Sequence, residues 1–142
     1  MNDLKITPDD KKYLKKNGSY SSRVIAIANQ KGGVGKSTTA VNLTSYLGQF
    51  GYKTLIVDMD PQSNTTSGLG IVDITEKSSI YNVLINGENI LQVTIKTQYK
   101  NLEAIPSSIQ LAGAEIELVT SMKREYKLKR RLINIKMIMT IL

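Results

Sequence analysis

The stretch Gln30-Lys31-Gly32-Gly33-Val34-Gly35-Lys36-Ser37-Thr38 constrains this chain more than any other. An apolar run, Arg23 to Asn29, precedes it, and a helix-like run from Ala40 to Phe50 follows it. Strand, glycine loop and helix in that order place a helix N-terminus and successive backbone N–H groups around one point, which suits an anion. Glycine allows the curl, because it alone takes left-handed backbone conformations freely. In such a loop Lys36 sets a point charge on the β- and γ-phosphates of a nucleotide, and the Ser37 hydroxyl ligates Mg²⁺. A Gly-rich turn with two solvated lysines is the plain alternative; the strand and helix on either side argue against it.

The flanking pattern predicts the fold class. Arg23–Asn29 is nearly all apolar, as expected of a central parallel strand covered on both faces. A helix is predicted over Ser37–Gly48, with Val41, Leu43, Tyr46, Leu47 and Phe50 as its apolar stripe and Gly48 and Gly51 ending it. Lys53–Asp58 reads as a second buried strand built on Thr54-Leu55-Ile56-Val57. Together these form a βαβ unit with a parallel, right-handed crossover. Further on, the pattern predicts a short helix over Ser79–Ile85 and a strand over Asn101–Ile105, before Pro106. A helix over Gln110–Met122 would bury Leu111, Ile116, Leu118 and Val119. Another over Glu125–Ile135 would bury Tyr126, Leu128, Leu132, Ile133 and Ile135. The expected class is α/β, a parallel sheet flanked by helices, over residues 23–142. Residues 1–22 read as a polar extension with a short helix around Asp9–Lys16 and then a linker.

With 142 residues, 41% hydrophobic and 22% charged, the chain fits one globular domain. It has no cysteine, which excludes disulfides, thiolate metal sites and a cysteine nucleophile. It also has no histidine, so general-base chemistry falls to a carboxylate. The net charge of +7 is uneven. Lys123, Arg124, Lys127, Lys129, Arg130, Arg131 and Lys136 stand against the single acid Glu125, and Lys11, Lys12, Lys15 and Lys16 form a second group. Such clusters suit a polyanion, either nucleic acid or an anionic membrane surface, and equally a solvated helix face. There is no secretory signal pattern and no apolar run near ~20 residues, so no membrane span is expected and the location expected is cytoplasmic.

A second cluster follows the second strand: Asp58-Met59-Asp60-Pro61-Gln62. Ligands of open α/β sheets bind at the carboxyl ends of the strands, and this strand is expected beside the one carrying the glycine loop. A spacing of two puts both acids on one side of an extended chain. Asp60 is the candidate to orient an attacking water, and Asp58 the candidate for a contact to Mg²⁺ or its waters. The alternative is that both acids simply cap the turn before Pro61.

The loop departs from the common G-x-x-x-x-G-K-[ST] pattern, since Gln30 stands where the first glycine belongs. It meets K-G-G-x-G-K-[ST] in full, with the extra Lys31. That is the deviant Walker A loop, and it resembles the ParA/MinD group of P-loop ATPases. Asp58-x-Asp60-Pro61-Gln62 followed by Asn64-Thr65-Thr66-Ser67-Gly68-Leu69-Gly70 is similar to the ParA/Soj branch, which serves chromosome and plasmid partition. Ser79 to Leu84, Leu102 to Ser107 and Leu111 to Leu118 resemble that branch too, so the likeness runs from about Arg23 to Lys136. The resemblance implies ATP and Mg²⁺ as cofactors. It implies nucleotide contacts from Lys31, Gly32, Gly33, Val34, Gly35, Lys36, Ser37 and Thr38, and catalysis by Lys31, Lys36 and Asp60. Ser37 and Asp58 would serve the metal. It further implies an ATP-bound homodimer in which Lys31 reaches the partner's phosphates, binding to DNA without sequence preference, and a nucleoid-associated place in the cytoplasm. Hydrolysis would be stimulated by a ParB-like protein.

Members of that group continue into a strand carrying Y-D-[YF]-I-[IL]-[IL]-D-x-P-P, whose last acid is the Walker B residue. The present sequence reads Lys136-Met137-Ile138-Met139-Thr140-Ile141-Leu142 there. Back-translated as AAA ATG ATT ATG ACT ATA TTA, it becomes Lys-Asn-Asp-Tyr-Asp-Tyr-Ile on restoring a single adenine. The expectation is therefore a sheet left incomplete before the Walker B strand by a one-base deletion, with the faces of Val24–Ala28 and Leu55–Val57 partly uncovered; the alternative is a genuine short protein ending in an apolar strand or a basic amphipathic tail. Two functions follow: an ATP-hydrolysing partition protein, or a non-catalytic remnant that binds phosphate or polyanions weakly.

Overall fold

A computed structural model describes residues 23–72, 74, 78–133, 135 and 138–141. The polar extension, its helix around Asp9–Lys16 and both Lys11–Lys16 and Lys136 lie outside these residues. Strand β1 (Val24–Ala26) leads through the glycine loop into helix α1 (Lys36–Gln49), and β2 (Thr54–Val57) follows. A short helix α2 (Asn64–Gly68) comes next, then a π-helical turn (Asn82–Asn86), α3 (Ile90–Val93) and an edge strand β3 (Ile95–Lys96). The chain continues through β4 (Leu102–Ile105), α4 (Leu111–Leu118), a 3₁₀ turn (Arg124–Tyr126), α5 (Lys127–Leu132) and β5 (Ile138–Ile141).

Among the described residues the strands form one sheet in the order β1-β5-β2-β4-β3. The first four run parallel, and β3 pairs antiparallel with β4. This is the expected parallel α/β sheet with helices against it. One detail differs from expectation. The place between β1 and β2 is filled, because Ile138–Ile141 pairs Val24 with Met139 on one side and Thr54 with Ile138 on the other. The β-formers Ile138, Thr140 and Ile141 supply a strand there without the family's acidic segment.

The apolar run of β2 is buried throughout and serves both faces. Leu55 and Val57 join Ile80, Val83, Ile105, Leu111 and Leu132 in one cluster, while Ile56 joins Ala40, Leu69, Leu102 and Ala104 in the other. Alternation along a strand accounts for the split. Strand β1 behaves differently from expectation. It spans three residues, and Val24 is 54% exposed. The reason is position, since β1 is the outermost strand of the described sheet.

The helices also correct the apolar stripes read from sequence. Helix α1 buries Ala40, Thr44 and Gly48, while Tyr46 is exposed. These three small residues, four apart, form one face, and they let the helix lie close to the turn at Lys100–Asn101. A Cβ on Gly48 would collide with the Lys100 carbonyl oxygen. Gly48 therefore sits inside the helix for close approach, and Gly51, at φ +90°, ends it. Helix α4 buries Leu111 and Ala114 and leaves Ile116 and Val119 exposed. The helix predicted over Ser79–Ile85 is a π-helical turn in its second half, and the one over Glu125–Ile135 is a 3₁₀ turn joined to α5, with Tyr126 and Ile133 exposed.

Candidate nucleotide-binding site

The glycine loop has the backbone its sequence demands. Gly33 and Gly35 have φ of +69° and +84°, a region costly for any residue with a Cβ. A Cβ built at Gly32, Gly33 or Gly35 meets nothing within 4 Å, so the inner side of the loop is open. Asn29 shapes its entrance, accepting the Lys31 N–H at 2.9 Å. This is an Asx-type turn that sequence reading passed over, although an Asn between strand and loop was the available signal. Lys36 turns back across the loop and donates to the Lys31 carbonyl at 3.3 Å. Helix α1 begins at Lys36 with no side chain capping it and no acid in its first turn. Its leading N–H groups and positive dipole end therefore face the loop uncompensated, the condition for holding an anion. Lys31, Val34 and Thr38 are exposed, and Lys36 and Ser37 half-buried.

Asp58 and Asp60 leave β2 at the same edge of the sheet as the loop leaves β1, because the strands are parallel. They are not on the neighbouring strand, as expected, since β5 lies between. Two interstrand steps separate β1 from β2 by about 10 Å. Asp58 is 1% exposed, and both its oxygens are engaged. Oδ1 accepts the Asp60 N–H at 3.1 Å, while Oδ2 accepts the Thr66 N–H at 2.9 Å and the Thr66 hydroxyl at 2.6 Å. Burial pushes the Asp58 carboxyl above the usual carboxylate range, and the bonds from Thr66 and Asp60 pull it back in part. Asp60 is half-buried and accepts the Gln62 N–H at 2.9 Å. The turn-capping alternative is thus realised in the hydrogen bonds of both acids. Among the described residues no three acids, histidines or cysteines are grouped as a metal cage, so a cation here would draw most of its ligands from phosphate and water. An open loop, an uncapped helix start and a half-buried hydroxyl at Ser37 do fit a magnesium nucleotide.

A parallel sheet with a glycine loop between its first strand and first helix defines a P-loop nucleotide-binding protein. A family model described as an AAA domain matches residues 22–139. The chain belongs to that family and, within it, to the ParA/Soj group of P-loop proteins. The sporulation initiation inhibitor protein Soj of Bacillus subtilis is 49% identical over 114 residues, 80% of this chain and 45% of that protein. The chromosome partitioning protein ParA of Caulobacter vibrioides is 44% identical over 107 residues, 75% of this chain and 40% of that one. Among solved structures, a plasmid partition protein from Borrelia burgdorferi superposes with a TM-score of 0.73 at 30% identity, over 84% of this chain and 54% of that one. Cobyrinic acid a,c-diamide synthase from Mycobacterium smegmatis, with bound ADP and magnesium, gives 0.79 at 36% identity, over 85% and 50%. The chain spans less than half the length of these curated relatives. No helix among the described residues is long and apolar enough to cross a membrane.

Proposed function

We propose that this chain is the nucleotide-handling part of a partition ATPase. The observation that carries the reading is the open two-lysine glycine loop running into an uncapped helix. ATP phosphates lie in the loop from Lys31 to Thr38, held by its backbone N–H groups and by Lys36. A magnesium ion held there would supply positive charge against the charge that builds on the phosphates. Ser37 would supply a hydroxyl ligand to it, and Asp58, its oxygens already bonded to the chain, would meet it only through water. Asp60 orients the attacking water, since the sequence has no histidine to do so. Catalysis is positioning and charge stabilisation rather than covalent chemistry.

In the assembled protein two copies meet across their nucleotides, and the exposed Lys31 of each reaches the other's phosphates. The ATP-bound dimer binds DNA without sequence preference, and a ParB-like partner stimulates hydrolysis and release. Lys123, Arg124, Lys129, Arg130 and Arg131 are exposed and available to the backbone of a polyanion. The remnant reading draws on the same cations, and it needs no nucleotide.

Titration with a fluorescent ATP analogue and Mg²⁺ separates the two. Lys36→Ala should weaken binding by about 10- to 100-fold, the loss of a charge-assisted contact. Binding unchanged in Lys36→Ala would remove the loop from the site, and DNA binding indifferent to ATP would favour the remnant.

A further inference from the structure

Thr65, Thr66 and Ser107 are buried beyond the carboxyl ends of β2 and β4, and of their three hydroxyls only that of Thr66 is engaged among the described residues. Thr65 Oγ1 and Ser107 Oγ have no partner among the described residues. Thr66 Oγ1 has two: it donates to Asp58 Oδ2 at 2.6 Å and accepts the Ser107 N–H at 3.1 Å. Thr66 and Asp58 are each 1% exposed, and Ser107 is fully buried. The chain between Asp58 and Thr66 carries Asp60, and its two ends are joined through the Asp58 carboxylate. One oxygen of that carboxylate holds the Asp60 amide, the other Thr66. The Asp58 backbone N–H is itself tied to the Ile105 carbonyl at 3.1 Å, next to the Ser107 anchor on the same strand end.

We propose that Thr66 is a positioning residue for hydrolysis: with the Ser107 amide behind it, it locks the Asp58 carboxylate, and Asp58 locks the segment that presents Asp60. The proposal rests on the reading of Asp60 as the water-orienting acid. A buried clamp of this kind fixes one end of the loop while leaving Asp60 half-buried, with Oδ1 on the Gln62 amide and Oδ2 without a bond among the described residues. It makes Asp58 a support of the loop first and a neighbour of the metal second. Misplacement of a reacting group by about 1 Å costs about 10²-fold in rate, so small slack in the clamp is visible in turnover.

The test is steady-state ATP hydrolysis by the whole chain with Mg²⁺, read as kcat and KM separately. Thr66→Val keeps the shape and removes the hydroxyl. It should lower kcat by about 10- to 100-fold with KM for ATP changed by less than about twofold. Thr66→Ser restores the hydroxyl and should recover most of the rate. Thr65→Val removes an unpartnered hydroxyl one position away, and its kcat should stay within about twofold of the parent. Asp58→Asn combined with Thr66→Val should be no slower than Asp58→Asn alone, because the two act through one contact. Should Thr66→Val fail to fold, as judged by circular dichroism, Thr66→Ala carries the same expectation. The proposal is overturned if kcat is unchanged without the hydroxyl, if KM rises in step with the fall in rate, if Thr66→Ser does not recover, or if the double variant's losses add. A parent chain that binds the ATP analogue but does not turn over removes the hydrolytic reading itself, and the proposal with it; that result shows before any variant is made.

Discussion

Gly48 shows how much a single hydrogen atom in place of a methyl decides. Its carbonyl accepts the Asn101 Nδ2–H at 3.0 Å, and the Lys100 carbonyl oxygen occupies the space a Cβ would need. Alanine would favour the helix by about 1 kcal/mol, yet it must displace backbone on a turn that is itself bonded to the helix. Overpacking of this kind costs about 1–3 kcal/mol, so Gly48→Ala should lower the urea midpoint rather than raise it. The sequence offered no warning, because the Gly48–Asn101 contact joins positions 53 apart and glycine in a helix end reads as a stop. Asp58 and Asp60 were legible as acids at a strand end; Thr66, the partner of Asp58, was not, since nothing local marks which hydroxyl will be turned inward. Tyr81 gives a further check. Its hydroxyl donates to Glu117 Oε1 at 3.0 Å, and that bond raises its pKa above the ordinary tyrosine value of 10.0. A raised folded pKa means the contribution to stability is whole below 10.0 and is lost as pH climbs through the raised value. In Glu117→Gln the alkaline titration of Tyr81, followed by ultraviolet difference absorbance, should move back toward 10.0.

Among the elements, β2, α1 and the loop between β1 and α1 were readable because each is dictated locally: an apolar run, a helical run and glycines at positive φ. The role of β5 was not, because strand order is settled by partners far along the chain. Thr140 pairs with Ile25 on one side and Ile56 on the other. A proline there removes a ladder donor in a strand paired on both sides, where proline is essentially not tolerated. Thr140→Pro should therefore abolish or sharply weaken the cooperative melting transition. The exposed side of α4 sets the contrast. Ile116 is 78% exposed, so Ile116→Ser should stay within about 0.5 kcal/mol of the parent in the same melt. Helix periodicity placed Leu111, Ile116, Leu118 and Val119 inside; Leu111 is buried as expected, joined by Ala114 rather than by Ile116 and Val119, in the cluster with Ile80 and Val83.

At the scale of the whole molecule the charge is the main lever. The net +7 is carried in part by Lys129, Arg130 and Arg131 on α5, all exposed. If they meet DNA phosphates, replacing all three with alanine should reduce the log–log salt slope of duplex binding by about 2 to 3, roughly one released counterion for each. In the partition reading that binding requires ATP. The strand order has a consequence of another kind. The loop that would hold ATP hangs from β1, and the ladder partner of β1 in the described sheet is β5, with Val24 beside Met139. On the ribosome, β2, β4 and the helices around them are made and can pack while β1 still has no neighbour. The first strand of the described sheet to be synthesised is thus the last to be secured, so a nascent chain should become competent for nucleotide only after residue 141 has emerged.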